Sequence, residues 1–263
     1  VGHDLILPGP KIASWAKLFA ARPDLLETYQ QIALLDDDLL CSIDDLNASF
    51  AAGRAYNLLL WQPSLTWDSY FTYAVTLNNP SFTLRYVNFI ELMCPFFAVD
   101  QLRRVLPLFS LGYEVYIDRM WCRLNENSSR RYAILDGVKL KHCRQIGSNA
   151  QAQGFSALNK TRHGGIYQSF IDQAEDELDI RFRGAVVYAG VTRKGKLVVG
   201  RLVMALMAFS VLQGWRKHKE NKFIRPLLDH VRHILTRPIA NEPIAINPPL
   251  RHIDGDVGVS EPR

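Results

Sequence analysis

Ile32-Ala33-Leu34-Leu35-Asp36-Asp37-Asp38 decides how the first half of this chain is read. Four apolar residues in a row have the continuous character of a short strand covered on both faces, and they end on three consecutive acids. The segments around them alternate helix-like and strand-like periods, the pattern of an α/β domain. Upstream, Ser14 to Ala21 puts Trp15, Leu18 and Phe19 on one helical face, and Pro23 opens a second short helix, Asp24 to Gln30. Downstream, Leu39 to Phe50 is predicted helical, Asn57 to Trp61 a strand ended by Gln62-Pro63, and Leu84 to Met93 a strand stopped by Pro95. Asp100 is expected to cap a helix from Gln101 to Phe109, with Leu102, Val105 and Leu106 inward and Arg103 and Arg104 outward. Glu114 to Leu124 follows as a helix, and Tyr132 to Leu140 as a strand with His142 just past it.

The 263 residues are 48% hydrophobic and 22% charged, the balance of a soluble globular protein large enough to bury a core. Cys41, Cys94, Cys122 and Cys143 are widely spaced without a C-x-x-C pair, which reads as reduced thiols in apolar surroundings and a cytoplasmic setting. Val1-Gly2-His3-Asp4 is not a signal leader, and without an initiator Met the true N-terminus is expected upstream. The longest apolar stretch, Leu197 to Trp215, is broken by Arg201, Gln213 and Gly214 and falls short of the ~20 clean residues of a membrane span.

The net charge of +5 is unevenly placed, because residues 193–237 hold eleven basic and two acidic side chains, about +9. That excess reads either as solvated helix faces or as a peripheral membrane contact through 193–237. No recognisable motif accompanies it that would make nucleic acid a partner. Gly147 to Gly165 is polar and loop-like, so four parts are expected: an α/β core over 1–147, a linker over 148–167, a basic and mostly helical extension over 168–237, and an extended tail over 238–263. Within the extension, helices are predicted at Gln168 to Leu178, Leu202 to Trp215 and Asn221 to Leu235.

Three aspartates at the mouth of a buried strand oppose one another's ionisation unless something positive meets them. A hard divalent cation, Mn²⁺ or Mg²⁺, is the natural partner, because it takes oxygen ligands and retains waters and substrate phosphates. The structural alternative is that Asp38 caps the helix expected from Leu39 while Asp36 and Asp37 lie exposed on a loop. Aromatic residues, among them Trp61, Trp67, Tyr70 and Tyr73, crowd the middle of the chain. They belong either to the core or to a cleft whose flat rings meet sugar rings, with Gln62 and Ser64 placed to hydrogen-bond hydroxyls.

The series Leu34-Leu35-Asp36-Asp37-Asp38, Trp61-Gln62-Pro63-Ser64, Val87-Asn88-Phe89-Ile90-Glu91-Leu92-Met93-Cys94-Pro95, Ile117-Asp118-Arg119-Met120-Trp121 and Tyr132 to His142 resembles the DUF707 family. That family is in turn similar to GT-A glycosyltransferases, and the likeness runs from about Leu5 to Gly147. It implies a GT-A-like, Rossmann-like mixed sheet flanked by helices, and a metal-dependent transfer of sugar from a nucleotide-diphosphate donor to a glycan or other hydroxyl acceptor. On this resemblance Asp36 and Asp38 match the DxD positions that hold the metal, and His142 matches the late histidine ligand. Lys11, Asp36 and Asp37 face the donor diphosphate, and Trp61, Gln62 and Tyr70 line the acceptor side. Asp118 is the favoured base, with Glu114 and Glu91 as the other carboxylates in position for that role.

About thirty-five residues precede Asp36, too few for a whole mononucleotide-binding half, so the base-gripping first strands are expected to be missing or minimal. That departure gives weight to a second reading, a non-catalytic glycan-binding or scaffold module that keeps the fold. A metal-dependent phosphohydrolase fits less well, because no nucleophile motif supports it.

Overall fold

A computed structural model of the chain describes residues 7, 11–110, 117–124, 129–145, 175–176, 184–217 and 223–239. Among the described residues eight strands form one open, mostly antiparallel sheet: β1 (Gln31–Ala33), β2 (Leu39–Leu40), β3 (Leu60–Leu65), β4 (Phe82–Val87), β5 (Phe96–Ala98), β6 (Tyr132–His142), β7 (Val187–Thr192) and β8 (Leu197–Val199). The order across it is β1-β5-β3-β6-β4-β7-β8, with β2 attached to the end of β6, and only β3 and β6 run parallel.

Helices cover both faces, so the class is mixed α/β as expected. On one face lie α1 (Lys11–Ala21), α4 (Val99–Phe109) and α5 (Arg201–Ala208), whose Ile12, Phe19, Leu102, Val105 and Met204 pack with Leu60, Phe97 and Ile134 of the sheet. On the other lies α3 (Ile43–Ala55), where Leu46 and Phe50 meet Trp61, Phe96, Ala133 and Leu135. Neighbouring residues of β3, β5 and β6 thus go to opposite faces, as a pleated strand requires. The short α2 (Asp24–Thr28) follows Pro23, and α6 (Ile224–Thr236) meets α5 where Arg201, at the start of α5, donates to carbonyls at the end of α6.

Several expectations change. The apolar run at 32–35 forms an edge strand rather than a central one, and it is apolar because Ile32 packs with α1 and α4 while Ala33 and Leu35 turn to the α3 side. The helix predicted from Leu39 starts only at Ile43. Ser42 caps it in a capping box, its Oγ accepting from Asp45 N–H (3.1 Å) while Asp45 Oδ2 accepts from Ser42 N–H (2.9 Å), so Asp38 is not the cap. β3 does not stop at Pro63 but passes through it, since the proline sits at a register shift against β6, where no ladder hydrogen bond is needed. Asp100 lies in the first turn of α4 without capping it; Ala98 occupies the cap.

The segment 117–124 holds two 3₁₀ turns, Ile117–Arg119 and Trp121–Arg123, in place of the continuous helix expected there. The division into a core over 1–147 and a helical extension over 168–237 gives way to shared structure: β7 pairs with β4 and β8 with β7, so the second range contributes two strands to the same sheet. The expected linker over 148–167, most of the helix at 168–178 and the tail from 240 lie outside the described residues. All four cysteines are free thiols, with Cys94 and Cys122 buried.

β6 carries three extra residues opposite β3, because Pro63 pairs with Leu135 but Ser64 pairs with Lys139. Asp136 and Val138 of this bulge are buried and need internal partners, while Gly137 between them is exposed. Arg85 on β4 supplies them, its Nε and Nη2 donating to both carboxylate oxygens of Asp136 (2.7 and 2.9 Å) and Nη2 also to the Leu77 carbonyl (2.8 Å). Asn79 N–H donates to Asp136 Oδ1 (2.8 Å), and Asn78 and Arg193 donate to the Asp136 carbonyl. Removing one partner leaves a buried guanidinium uncompensated, at a cost of about 3–5 kcal/mol. Asp136→Ala is therefore expected to lower the urea midpoint by that equivalent; a loss below ~1 kcal/mol would show that the pair does not hold the sheet together.

Candidate functional site

The chain leaving β1 is held at Asp36, whose N–H bonds to the Met93 carbonyl (3.0 Å), and it turns at Asp37 and Asp38 before β2. Asp36 and Asp38 face inward, with side chains 20% and 9% exposed, while Asp37 at the turn is exposed at 79%. Asp37 sits 3.6 Å from Arg144 in solvent, so its expected contact with the donor is not brought to the inward pair. Such exposed pairs contribute little to stability.

β6 runs to His142 instead of ending at Leu140, and β2 pairs with it there, Leu39 opposite His142. Cys143 N–H donates to the Asp38 carbonyl (2.9 Å), which fixes Asp38 beside the imidazole. His142 Nε2 lies 3.3 Å from Asp38 Oδ2, and Nδ1 donates to the Tyr70 carbonyl (2.9 Å). A carbonyl only accepts, so Nδ1 carries the hydrogen and Nε2 is the nitrogen turned to the carboxylate. Tyr70 therefore enters through its backbone, and Ser69 Oγ accepts from His142 N–H (3.1 Å) to fix the same loop. Asp38 Oδ1 is buried without a hydrogen-bond partner among the described residues.

These two side chains fit a divalent cation. Adjacent ligands of an octahedral ion with bonds of about 2.1–2.3 Å stand about 3.0–3.3 Å apart, the separation of Nε2 and Oδ2. Asp36 is engaged elsewhere, by Lys11 Nζ at 2.6 Å. Burial pushes the Asp36 carboxyl up from its ordinary range, against the pull of that lysine. Among the described residues no three His, Cys, Asp or Glu side chains stand together at metal-holding distances, so a cation would rest on Asp38, His142 and oxygens from its substrate.

Behind Lys11 lies a second acidic pair. Glu91 is buried in the loop between β4 and β5, its N–H donating to Gln62 Oε1 (2.6 Å), and Asp118 is buried in the first 3₁₀ turn. Burial raises the Glu91 carboxyl to about 8, with repulsion from Asp118 adding to the shift, while Thr72, Lys11 and Asp36 act more weakly. Burial raises Asp118 to about 7, opposed by Arg119, by backbone N–H groups and by Lys11. Glu91 Oε2 and Asp118 Oδ1 have no hydrogen-bond partner among the described residues. Two acids that feel each other's charge and titrate near neutrality are placed to hold and pass a proton.

Of the residues expected here, Lys11, Asp36, Glu91 and Asp118 lie in one electrostatic neighbourhood, which Asp36 links to Asp38 and His142. Glu114 lies outside the described residues. Trp61 and Gln62 are not acceptor contacts. Trp61 is fully buried, donates to Ser49 O and Oγ (both 3.1 Å), stacks on Phe96, and leaves no room for a Cβ at Gly53, which would meet its ring at 2.2 Å. Gln62 is fully buried as well and positions Glu91 from beneath.

Sequence reasoning placed Tyr73 among the aromatics of the core or a sugar cleft and missed its polar contact: its phenol is buried and bonded to Arg119, and its ionisation is pushed up by burial and by Asp118. An aromatic in a crowded aromatic stretch carries no signal of that polar contact. Searches among protein-family models, curated proteins and solved structures find no match to this chain.

The raised carboxyls have a measurable consequence. A carboxyl whose folded pKa exceeds its unfolded one binds more protons folded than unfolded, so its penalty is absent below the unfolded value and grows as pH rises. For Glu91 the window runs from 4.5 to about 8. Glu91→Gln is expected to flatten the fall in stability across that window by on the order of 5 kcal/mol, read from urea midpoints at successive pH values. Parallel curves for the two proteins would show that Glu91 is not a buried acid.

Proposed function

We propose that the chain is a metal-dependent glycosyltransferase that moves a sugar from a nucleotide-diphosphate donor to a hydroxyl acceptor, on a GT-A-like framework. The observation that carries this reading is Asp38, held 3.3 Å from His142 Nε2 with its second oxygen buried and unpartnered among the described residues. When bound there, a divalent cation supplies Lewis-acid stabilisation of the charge that collects on the departing diphosphate. The chain's own residues do the rest. The Tyr70 carbonyl fixes the tautomer of His142, and Lys11 balances Asp36 and offers its charge to donor phosphates. Asp118, poised near neutrality, takes the acceptor hydroxyl proton as the acceptor oxygen bonds to the anomeric carbon and the bond from that carbon to the diphosphate oxygen breaks. Glu91 holds its proton at neutral pH and keeps a second negative charge from Asp118.

A second reading has its own support: the close Lys11–Asp36 pair neutralises one acid of the run within the fold. A glycan-binding or scaffold module needs no more than that.

Two measurements separate them. Wild type should bind Mn²⁺ and turn over at least one of a panel of nucleotide sugars, and Asp38→Ala should weaken Mn²⁺ binding and lower turnover by about two to three orders of magnitude. Full activity in Asp38→Ala removes the metal assignment, and absence of Mn²⁺ binding in the wild type favours the binding module. Within an active enzyme, Asp118→Asn should cost about 10²–10⁴ in kcat and Glu91→Gln much less; the reverse order would make Glu91 the base.

A further inference from the structure

Between Val187 and Lys217 the sequence contains no aspartate or glutamate, while it holds Arg193, Lys194, Lys196, Arg201, Arg216 and Lys217. In the fold this stretch is β7, the hairpin tip, β8, α5 and the 3₁₀ run Phe209–Lys217. It also exposes large apolar side chains at close intervals: Val199 (62%), Leu202 (73%), Leu206 (72%) and Trp215 (57%), with Leu197 and Phe209 less so. Leu202 and Leu206 lie one turn apart on α5, opposite the buried Met204 and Ala208. Leu197 and Val199 point the same way from β8, whose outer edge is unpaired among the described residues. Such a concentration of apolar exposure marks an interaction surface.

Charge identifies its partner. Arg193 and Arg201 are occupied inside the fold, the first on the Asp136 carbonyl and the second on the carbonyls that end α6. Lys194, Lys196, Arg216 and Lys217 form no ion pair with a described acid and are exposed at the hairpin tip and beside Trp215. A second copy is a poor occupant, because a two-fold contact would set these basic groups against themselves. We propose that this face docks on an anionic lipid bilayer, the leucines and Trp215 entering the headgroup region and the lysines and arginines meeting lipid charge. No helix among the described residues is long and apolar enough to cross a membrane, so the contact lies on the surface. This inference does not rest on the glycosyltransferase reading.

The test is sedimentation of the full chain with phosphatidylcholine vesicles, with and without about 30% phosphatidylserine. Binding is expected only with phosphatidylserine, with a blue shift of fluorescence that Trp215→Phe removes and a loss of binding in high salt. Lys194→Glu/Lys196→Glu should weaken partitioning by about 25-fold or more, and Leu202→Glu/Leu206→Glu should abolish it. These side chains are exposed, and an unchanged melting temperature confirms that each variant is folded. Equal binding to both vesicles, binding to neither, or a self-association that the leucine changes abolish in the absence of vesicle binding would each overturn the proposal.

Discussion

The bidentate pair between Arg85 and Asp136 is the contact on which the rest of this structure depends. Its side chains are 3% and 0% exposed, and it lies where β6 gains three residues over β3. A bulge in the middle of a sheet exposes backbone groups that no ladder can satisfy, and in a buried position each would cost a lost hydrogen bond. Here the carboxylate, its own carbonyl and the neighbouring Val138 carbonyl are met by Arg85, Asn78, Asn79, Arg193 and Ser64. Three separate parts of the chain thereby converge on Asp136, and Ser64 meets the same bulge at Val138. The bulge shifts the register of β6, so that Lys139 and Leu140 continue alongside β3 while Lys141 and His142 receive β2. The strand end that places His142 beside Asp38 thus follows directly on the segment pinned at Asp136.

The site trades stability for chemistry in the same way. Asp38 Oδ1, Glu91 Oε2 and Asp118 Oδ1 are buried without hydrogen-bond partners among the described residues, and each such oxygen opposes folding. Two of these groups respond by holding protons near neutrality, and the third sits beside an imidazole. Folding tolerates this because three apolar clusters surround the region. One of them, with Leu65, Phe71, Met93, Cys94 and Leu140, lies directly under the loops that carry Tyr70 and Glu91. An arrangement with no ligand or proton to receive would be a net loss, which is why the unpartnered oxygens point to function more strongly than the acids themselves.

Much of this was legible in the sequence, and the failures have physical causes. Helical period located α1, α4 and α6 within a few residues, and the β6 strand was plain from Tyr132 onward. Ser42 was passed over as a cap because three aspartates just upstream offered a competing one, although Ser42-Ile43-Asp44-Asp45 has the spacing of a capping box. Pro63 looked like a strand end because nothing local announces a bulge on the partner strand. β7 and β8 were hidden by Gly190 and by the basic hairpin tip, and the pairing of β7 with β4 joins residues about a hundred positions apart. Trp61 carried no local sign of which face it would take. Asn57 leaves α3 with a φ of 51°, and the direction in which β3 then starts sends that ring under the helix.

The aspartate run itself shows how little separates a cap from a site. The resemblance implied Asp36 and Asp38 as ligands with Asp37 beside the donor, and the turn at Asp37–Asp38 sends the three acids to three different surroundings. Asp37 goes outward to Arg144, Asp36 goes inward to Lys11, and Asp38 alone retains a buried oxygen that nothing described satisfies. Lys11 reaches Asp36 because α1 begins at that residue, so the first helix also sets how much negative charge the site keeps. With Asp36 balanced, the remaining charge is concentrated on Asp38 beside a histidine whose hydrogen is already committed to a backbone carbonyl. One carboxylate and one imidazole, both fixed from behind by backbone hydrogen bonds, are what the run brings together, and the Asp38 oxygen left unpartnered among the described residues is the group that can still receive a proton or a ligand.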